Sequence, residues 1–351
     1  MKYFTINNKP VTNPIIQGGM GIGISFHKLV TAALEAGIVG TLSSAQAGFK
    51  TDKHKTDNLK ANLDAIKNEI DLVRAVNPDG ILGVNVMHAT DGYDHTCKFL
   101  ANCDIDFIVS GAGLPTDLPE YLKDSNVKGA VIVSSGRSAK VLLRRWDRKF
   151  NVMPEFVVVE GPLAGGHLGF TKEEMATGKV KNLEQLCTEV IEVVNEFSEK
   201  YSKPIPVIAA GGVFTKEDIQ KFLDLGCQGV QIATRFIATE ECDAADVYKQ
   251  MIVNSTIDDI VEIKSPVGYP GRAIYNNLAK GLESGHQKIS HCYRCLRSQI
   301  CNTVDAPYCI TEKLGDAVKG DVENGLVFTG ALGYKIDKIT TVKELVDELT
   351  R

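Results

Sequence analysis

Residues 157–170 read VVVEGPLAGGHLGF. With Phe156 ahead of it, the run Val157-Val158-Val159 has no polar alternation, which predicts a parallel-sheet strand buried on both faces. It stops at Glu160-Gly161-Pro162, and a small-residue turn, Ala164-Gly165-Gly166, leads to His167. Glycines without a Cβ let a backbone lie flat against a ligand or take positive φ. In α/β proteins the chemistry gathers past the carboxyl ends of the strands, which is where His167 falls. A tight turn with a solvated histidine accounts for the same residues, so the stretch alone leaves both readings open.

Seven further strand-like runs flank it, at 15–17, 40–42, 81–86, 107–110, 130–134, 207–210 and 229–233. Helical spacing separates them, at 26–36, 58–76, 94–102, 118–125, 138–149, 183–200, 216–225 and 244–253. In the second of these, Leu59, Leu63, Ile66, Ile70 and Val73 share one face. Eight β–α units over about 240 residues match the length of a (β/α)8 TIM barrel. A doubly wound open sheet is the rival, but no G-x-G-x-x-G follows the first strand. After residue 255 the alternation breaks. The expectation is a barrel formed by 1–256 with 323–351, and a C-terminal lid subdomain at 257–322. Within the lid, 257–270 reads as loop, 272–281 as helix and 314–322 as helix. A last helix is expected at 341–350.

The chain has 351 residues, and its formal charge of −5 offers no basic field for nucleic acid or anionic lipid. Its first residues lack the apolar core of a signal peptide, and no apolar run is long enough to span a bilayer. The expectation is a cytoplasmic protein acting on a small molecule; a homodimer is left open. Of nine cysteines, Cys292, Cys295, Cys301 and Cys309 crowd together. In a reducing compartment such a group suggests metal rather than disulfides, either zinc or a [4Fe–4S] cluster. The segment has little regular apolar pattern, so it is expected to be ordered by that metal.

The loops after strands seven and eight carry Gly211-Gly212 and Gln231-Ile232-Ala233-Thr234. In barrels this position commonly binds phosphate through backbone N–H groups. Taken in order, QGGMG (17–21), LGVNVM (82–87), SGAG (110–113), EGPLAGGHLG (160–169), IPVIAAGGV (205–213), GVQIATRF (229–236) and the tail from Gly320 resemble the FMN-dependent nitronate monooxygenase family. Those enzymes were formerly called 2-nitropropane dioxygenases, and the family includes the flavin-type enoyl-acyl-carrier-protein reductases. The resemblance covers the chain except for roughly 265–308.

It implies FMN lying across the strand ends. Its phosphate would sit at Gly211, Gly212, Ala233 and Thr234, in one segment with Gln231 and Ile232. Gly19 and Met20 would lie against the isoalloxazine, Asn85 and Glu160 would hydrogen-bond the flavin, and Gly165 would pack on it. Relatives often have glutamine at the Glu160 position. His167 matches the active-site histidine, a residue type that titrates near neutral pH and suits proton transfer. Leu163 departs from the glutamate usual in relatives. The implied activity is oxidative denitrification of alkyl nitronates with O2. An alternative is reduction of an enoyl thioester with NAD(P)H as co-substrate, and a non-catalytic barrel that binds a phosphorylated metabolite is a third reading. Among the remaining histidines, His88 stands out for its closeness to Asn85.

Overall fold

The computed structural model describes residues 3–351. Eight strands form one parallel sheet: β1 (Ile15–Gln17), β2 (Gly40–Ser43), β3 (Leu82–Met87), β4 (Phe107–Gly111), β5 (Lys128–Val133), β6 (Val157–Glu160), β7 (Val207–Ala210) and β8 (Gly229–Ile232). Each pairs with its neighbour in sequence, and β8 pairs with β1. A parallel bridge between Ile16 and Val39 joins β1 to the start of β2 and closes the ring. The architecture is a TIM barrel.

Period-two alternation sorts each strand between two cores. Val158 and Phe156 point into the barrel with Ile16, Phe107, Val109 and Ile208. Val157 and Val159 point outward, with Val131 and Val207, onto the ring of helices. Both faces are therefore apolar, which explains the unbroken valine run. The amino-terminal hairpin, Phe4–Ile6 with Lys9–Val11, is not visible as a periodicity. Its Phe4, Ile6 and Val11 join the interior cluster and plug the end of the barrel away from the site.

Helices follow the strands, and some are started by side-chain caps. Thr215 accepts from the Asp218 N–H, and Asn182 accepts from the Gln185 N–H, in two capping boxes. The last helix, Val342–Thr350, packs against His27–Glu35 and Lys216–Leu225.

Between residues 257 and 322 the structure departs from the expectation. Residues 257–270 are not all loop, and 272–281 is not one helix. Ile260–Ile263 and Gly271–Ile274 form an antiparallel hairpin, and helices follow at Asn277–Glu283 and Ile310–Lys319. The reason is tertiary: Gly271 and Arg272 pair with His167 and Gly166, so this backbone is captured as a strand by the loop it covers. Apolar residues of the segment, including Leu296, Tyr308 and Leu314, join the outer core of the barrel.

Candidate active site

The carboxyl ends of the strands open into a cavity of about 1320 Å³. Gly19, Met20, Asn85, Glu160, Gly165, His167, Gly211, Gly212, Gln231, Ile232, Ala233 and Thr234 all line it. The strand-end residues singled out in sequence therefore converge on one space, as ring closure requires.

At one side, Gly211 and Gly212 have φ of 85° and 101°. A Cβ at Gly211 would stand 3.0 Å from the Gly161 carbonyl oxygen, and one at Gly212 3.0 Å from Leu163 Cβ. Successive residues of this kind turn their N–H groups into a concavity that suits an anion. Among the described residues no backbone acceptor takes the Gly212 N–H. A phosphate fits this cradle. Arg235 does not compete for it: its guanidinium pairs with Glu348 at 3.0 Å, donates to the Phe214 carbonyl and stacks on the Phe214 ring.

Just past β1, the backbone at Gly19 lies so close to β2 and β3 that a Cβ would meet Asn85 Cβ at 2.7 Å. The Met20 N–H is held by Ser25 Oγ at 3.0 Å, so Met20 meets a ligand by packing rather than by donating. At Gly165 the close approach is to backbone: a Cβ would stand 2.6 Å from the Gly330 nitrogen. Glycine is thus required there by the tail as well as by the cavity.

Glu160 ends β6 with no hydrogen-bond partner among the described residues, and burial pushes its carboxyl up to about 7. Near neutral pH it is poised between donor and acceptor. Burial pushes His167 down to about 4, so its imidazole is neutral at pH 7. The ring is walled in by protein yet keeps one face on the cavity. His167 Nε2 is 2.9 Å from Ser265 Oγ, and Phe328 packs edge-on at 5.1 Å.

Three contributors escaped sequence reasoning. Ser265 and Tyr308 lie in the segment the resemblance does not cover; the Tyr308 hydroxyl is buried and faces Ser265. Arg272, 6% exposed, donates to the carbonyls of Pro162 and Ala164 at 2.7 and 2.6 Å and pairs with Glu262 at 2.8 Å. A lone arginine inside the GRAI run was its one sequence signal.

The expected four-cysteine metal centre is not supported: among the described residues no three His, Cys, Asp or Glu side chains gather as a metal site, and Cys292, Cys295, Cys301 and Cys309 stand as free thiols. Cys292 faces solvent, while burial raises the thiols of Cys295 and Cys301, and that of Cys309 to about 12. The segment has other anchors. Leu296, Ala306 and Tyr308 are buried, and Leu296 bridges to Thr90. These anchors are irregularly spaced, so no periodicity announces them.

The family model described as nitronate monooxygenase matches residues 3–351. A probable nitronate monooxygenase of Staphylococcus aureus (strain JH9) is 26% identical over 303 residues, covering 76% of each chain. A Mycobacterium tuberculosis protein named (3aS,4S,5R,7aS)-5-hydroxy-7a-methyl-1-oxo-octahydro-1H-indene-4-carboxyl-CoA dehydrogenase is 24% identical over 372 residues, covering 97% of this chain and 92% of its own. Among solved structures, FabK from Thermotoga maritima superposes with a TM-score of 0.74 at 26% identity, over 97% of this chain and 92% of that one. A nitroalkane oxidase from Streptomyces ansochromogenes shares the fold, with a TM-score of 0.73 at 21% identity over 97% and 95%. A match running from residue 3 to the last residue, on a closed barrel with this cavity, makes the chain an oxidoreductase of the nitronate monooxygenase family.

Proposed function

We propose that the chain is an FMN-dependent enzyme that oxidises alkyl nitronates with O2 to a carbonyl compound and nitrite. The observation that carries this reading is a neutral imidazole, His167, on the same cavity as the positive-φ glycine pair Gly211 and Gly212. Bound FMN supplies the electron-accepting chemistry and the reaction with O2. The glycine pair would hold the phosphate, Gly19 and Met20 would support the ring, and Asn85 and Glu160 would hydrogen-bond its edge.

A conjugate acid near pKa 4 makes His167 a weak base for a neutral nitroalkane. It suits a preformed nitronate anion, whose charge favours the N–H form of the ring and accepts its hydrogen bond. The nitronate is therefore the expected substrate. Purified protein should show flavin absorbance, and with propane-2-nitronate it should consume O2 and release nitrite faster than with neutral 2-nitropropane. Flavin-loaded protein that consumes no O2 with any nitronate overturns the reading.

The cavity volume favours a second reading. At about 1320 Å³ it exceeds the ~300–1,000 Å³ of ordinary single-ligand sites, a size compatible with a cofactor and an extended substrate together. Reduction of an enoyl thioester with NAD(P)H uses that room, with the His167 N–H donating to the thioester carbonyl. The relative named for a carboxyl-CoA substrate supports it.

A further inference from the structure

In a closed ring of eight strands, β3 and β4 stand across the mouth from β7 and β8. The cavity wall at their ends carries His88, Gly113 and Arg297. Arg297 is fixed through its backbone: its N–H donates to the Ala89 carbonyl at 3.2 Å, next to the Leu296–Thr90 bridge. Its guanidinium lies 5.8 Å from the centroid of the Tyr93 ring.

Among the described residues no carboxylate pairs with Arg297, whereas Arg235, the other arginine of the wall, is paired with Glu348. Asp117, the acid whose charge acts on His88, is bound to Lys149 at 2.8 Å. Burial and then Arg297 lower the His88 pKa. Beside it, Ala112 and Gly113 take φ of 53° and 126° and are exposed, a turn of the kind that presents N–H groups to an anion. A cation set in a cavity wall without a counter-ion, beside such a turn, is chemistry that awaits an anionic ligand.

We propose that Arg297, with the Ala112–Gly113 turn and His88, forms a second anion subsite that binds a phosphate at the far end of an elongated substrate or co-substrate. The subsite lies opposite the Gly211–Gly212 cradle, so one molecule does not fill both with a single phosphate. It rests on the reading of this cavity as the active one, and it assigns the enzyme a phosphate-bearing ligand. Coenzyme A thioesters and nicotinamide dinucleotide phosphates share that chemistry.

The test titrates flavin-loaded protein with coenzyme A and, separately, with NADP+, following flavin absorbance. Wild-type protein should bind one of them, and the one it binds names the source of the phosphate. Arg297→Ala should weaken that binding about 10- to 100-fold, the range of one charge-assisted contact, with FMN content unchanged. Arg297→Lys should recover part of the loss, and added salt should shrink the difference. With crotonyl-CoA and the phosphate-free crotonyl N-acetylcysteamine thioester, any KM preference for the CoA ester should collapse in Arg297→Ala. Wild-type protein that binds neither ligand, or Arg297→Ala that binds as wild type does, overturns the proposal. If the protein purifies without flavin, the functional reading fails, and calorimetry on the same pair of proteins still decides the subsite.

Discussion

His167 owes its chemistry to burial and to Ser265, 98 residues further along the chain. Burial makes it neutral, and Ser265 Oγ occupies its Nε2, which leaves Nδ1 for a ligand. Ser265 also accepts from the Val267 N–H at 3.3 Å, so its own proton is free to go to His167. With Ser265 as the donor to Nε2, the imidazole would carry its own proton on Nδ1 and could donate from there. Removing the imidazole in His167→Ala takes away a hydrogen-bond donor and should cost about 10²- to 10³-fold in turnover with FMN retained. Ser265→Ala should cost about 10-fold in kcat, and Ser265→Thr should restore most of it. In the His167→Ala background Ser265→Ala should cost nothing further, because the serine acts through the ring. An unchanged kcat in Ser265→Ala, or losses that simply multiply, removes it as a positioning residue.

At the scale of elements, the hairpin Ile260–Ile263 with Gly271–Ile274 is what holds the loop after β6 in place. Arg272 ties it down, with one guanidinium nitrogen on two loop carbonyls and the other on Glu262. In Arg272→Met the stem still fills space, but two carbonyls and a carboxylate lose their donor. Breaking a buried ion pair on one side costs about 3–5 kcal/mol, and the partial exposure of Glu262 places this case at or below the low end. A lower melting temperature is expected, together with faster amide exchange at 163–168, where the loop is released. Exchange unchanged in that window would mean the strand pairing alone suffices.

For the molecule as a whole, the cavity sets opposing pH dependences. Glu160 has its pKa raised from 4.5 to about 7, so the folded FMN-free protein binds more protons there than the unfolded chain. Its contribution is intact below about pH 4.5 and is lost as pH rises toward 7. His167 has its pKa lowered from 6.5 to about 4, so its contribution is intact above 6.5 and is lost as pH falls toward 4. The two slopes cancel between about 4.5 and 6.5. Melting curves of FMN-free wild type and Glu160→Gln should diverge between pH 4.5 and 7, the variant gaining on the order of 1–3 kcal/mol, and run parallel above. Parallel curves throughout would mean that Glu160 is ionised at its ordinary pKa.

The barrel, its eight strands and the convergence of their glycine-rich ends were legible in the sequence, because each depends on local pattern. An all-apolar run such as 156–159 between turn signals reads as a strand buried on both faces, and Gly211-Gly212 marks backbone where a side chain would be crowded. What the sequence left out depends on contacts between distant residues. The strand at Gly271–Ile274 has no pattern of its own and exists because the His167 loop offers it an edge. Ser265 is one serine among many until the fold puts it 2.9 Å from His167. The four cysteines mislead for the same reason. Spacing along the chain brings thiols near one another, but only the packed chain, anchored here by Leu296 and Tyr308, decides whether they face a common centre.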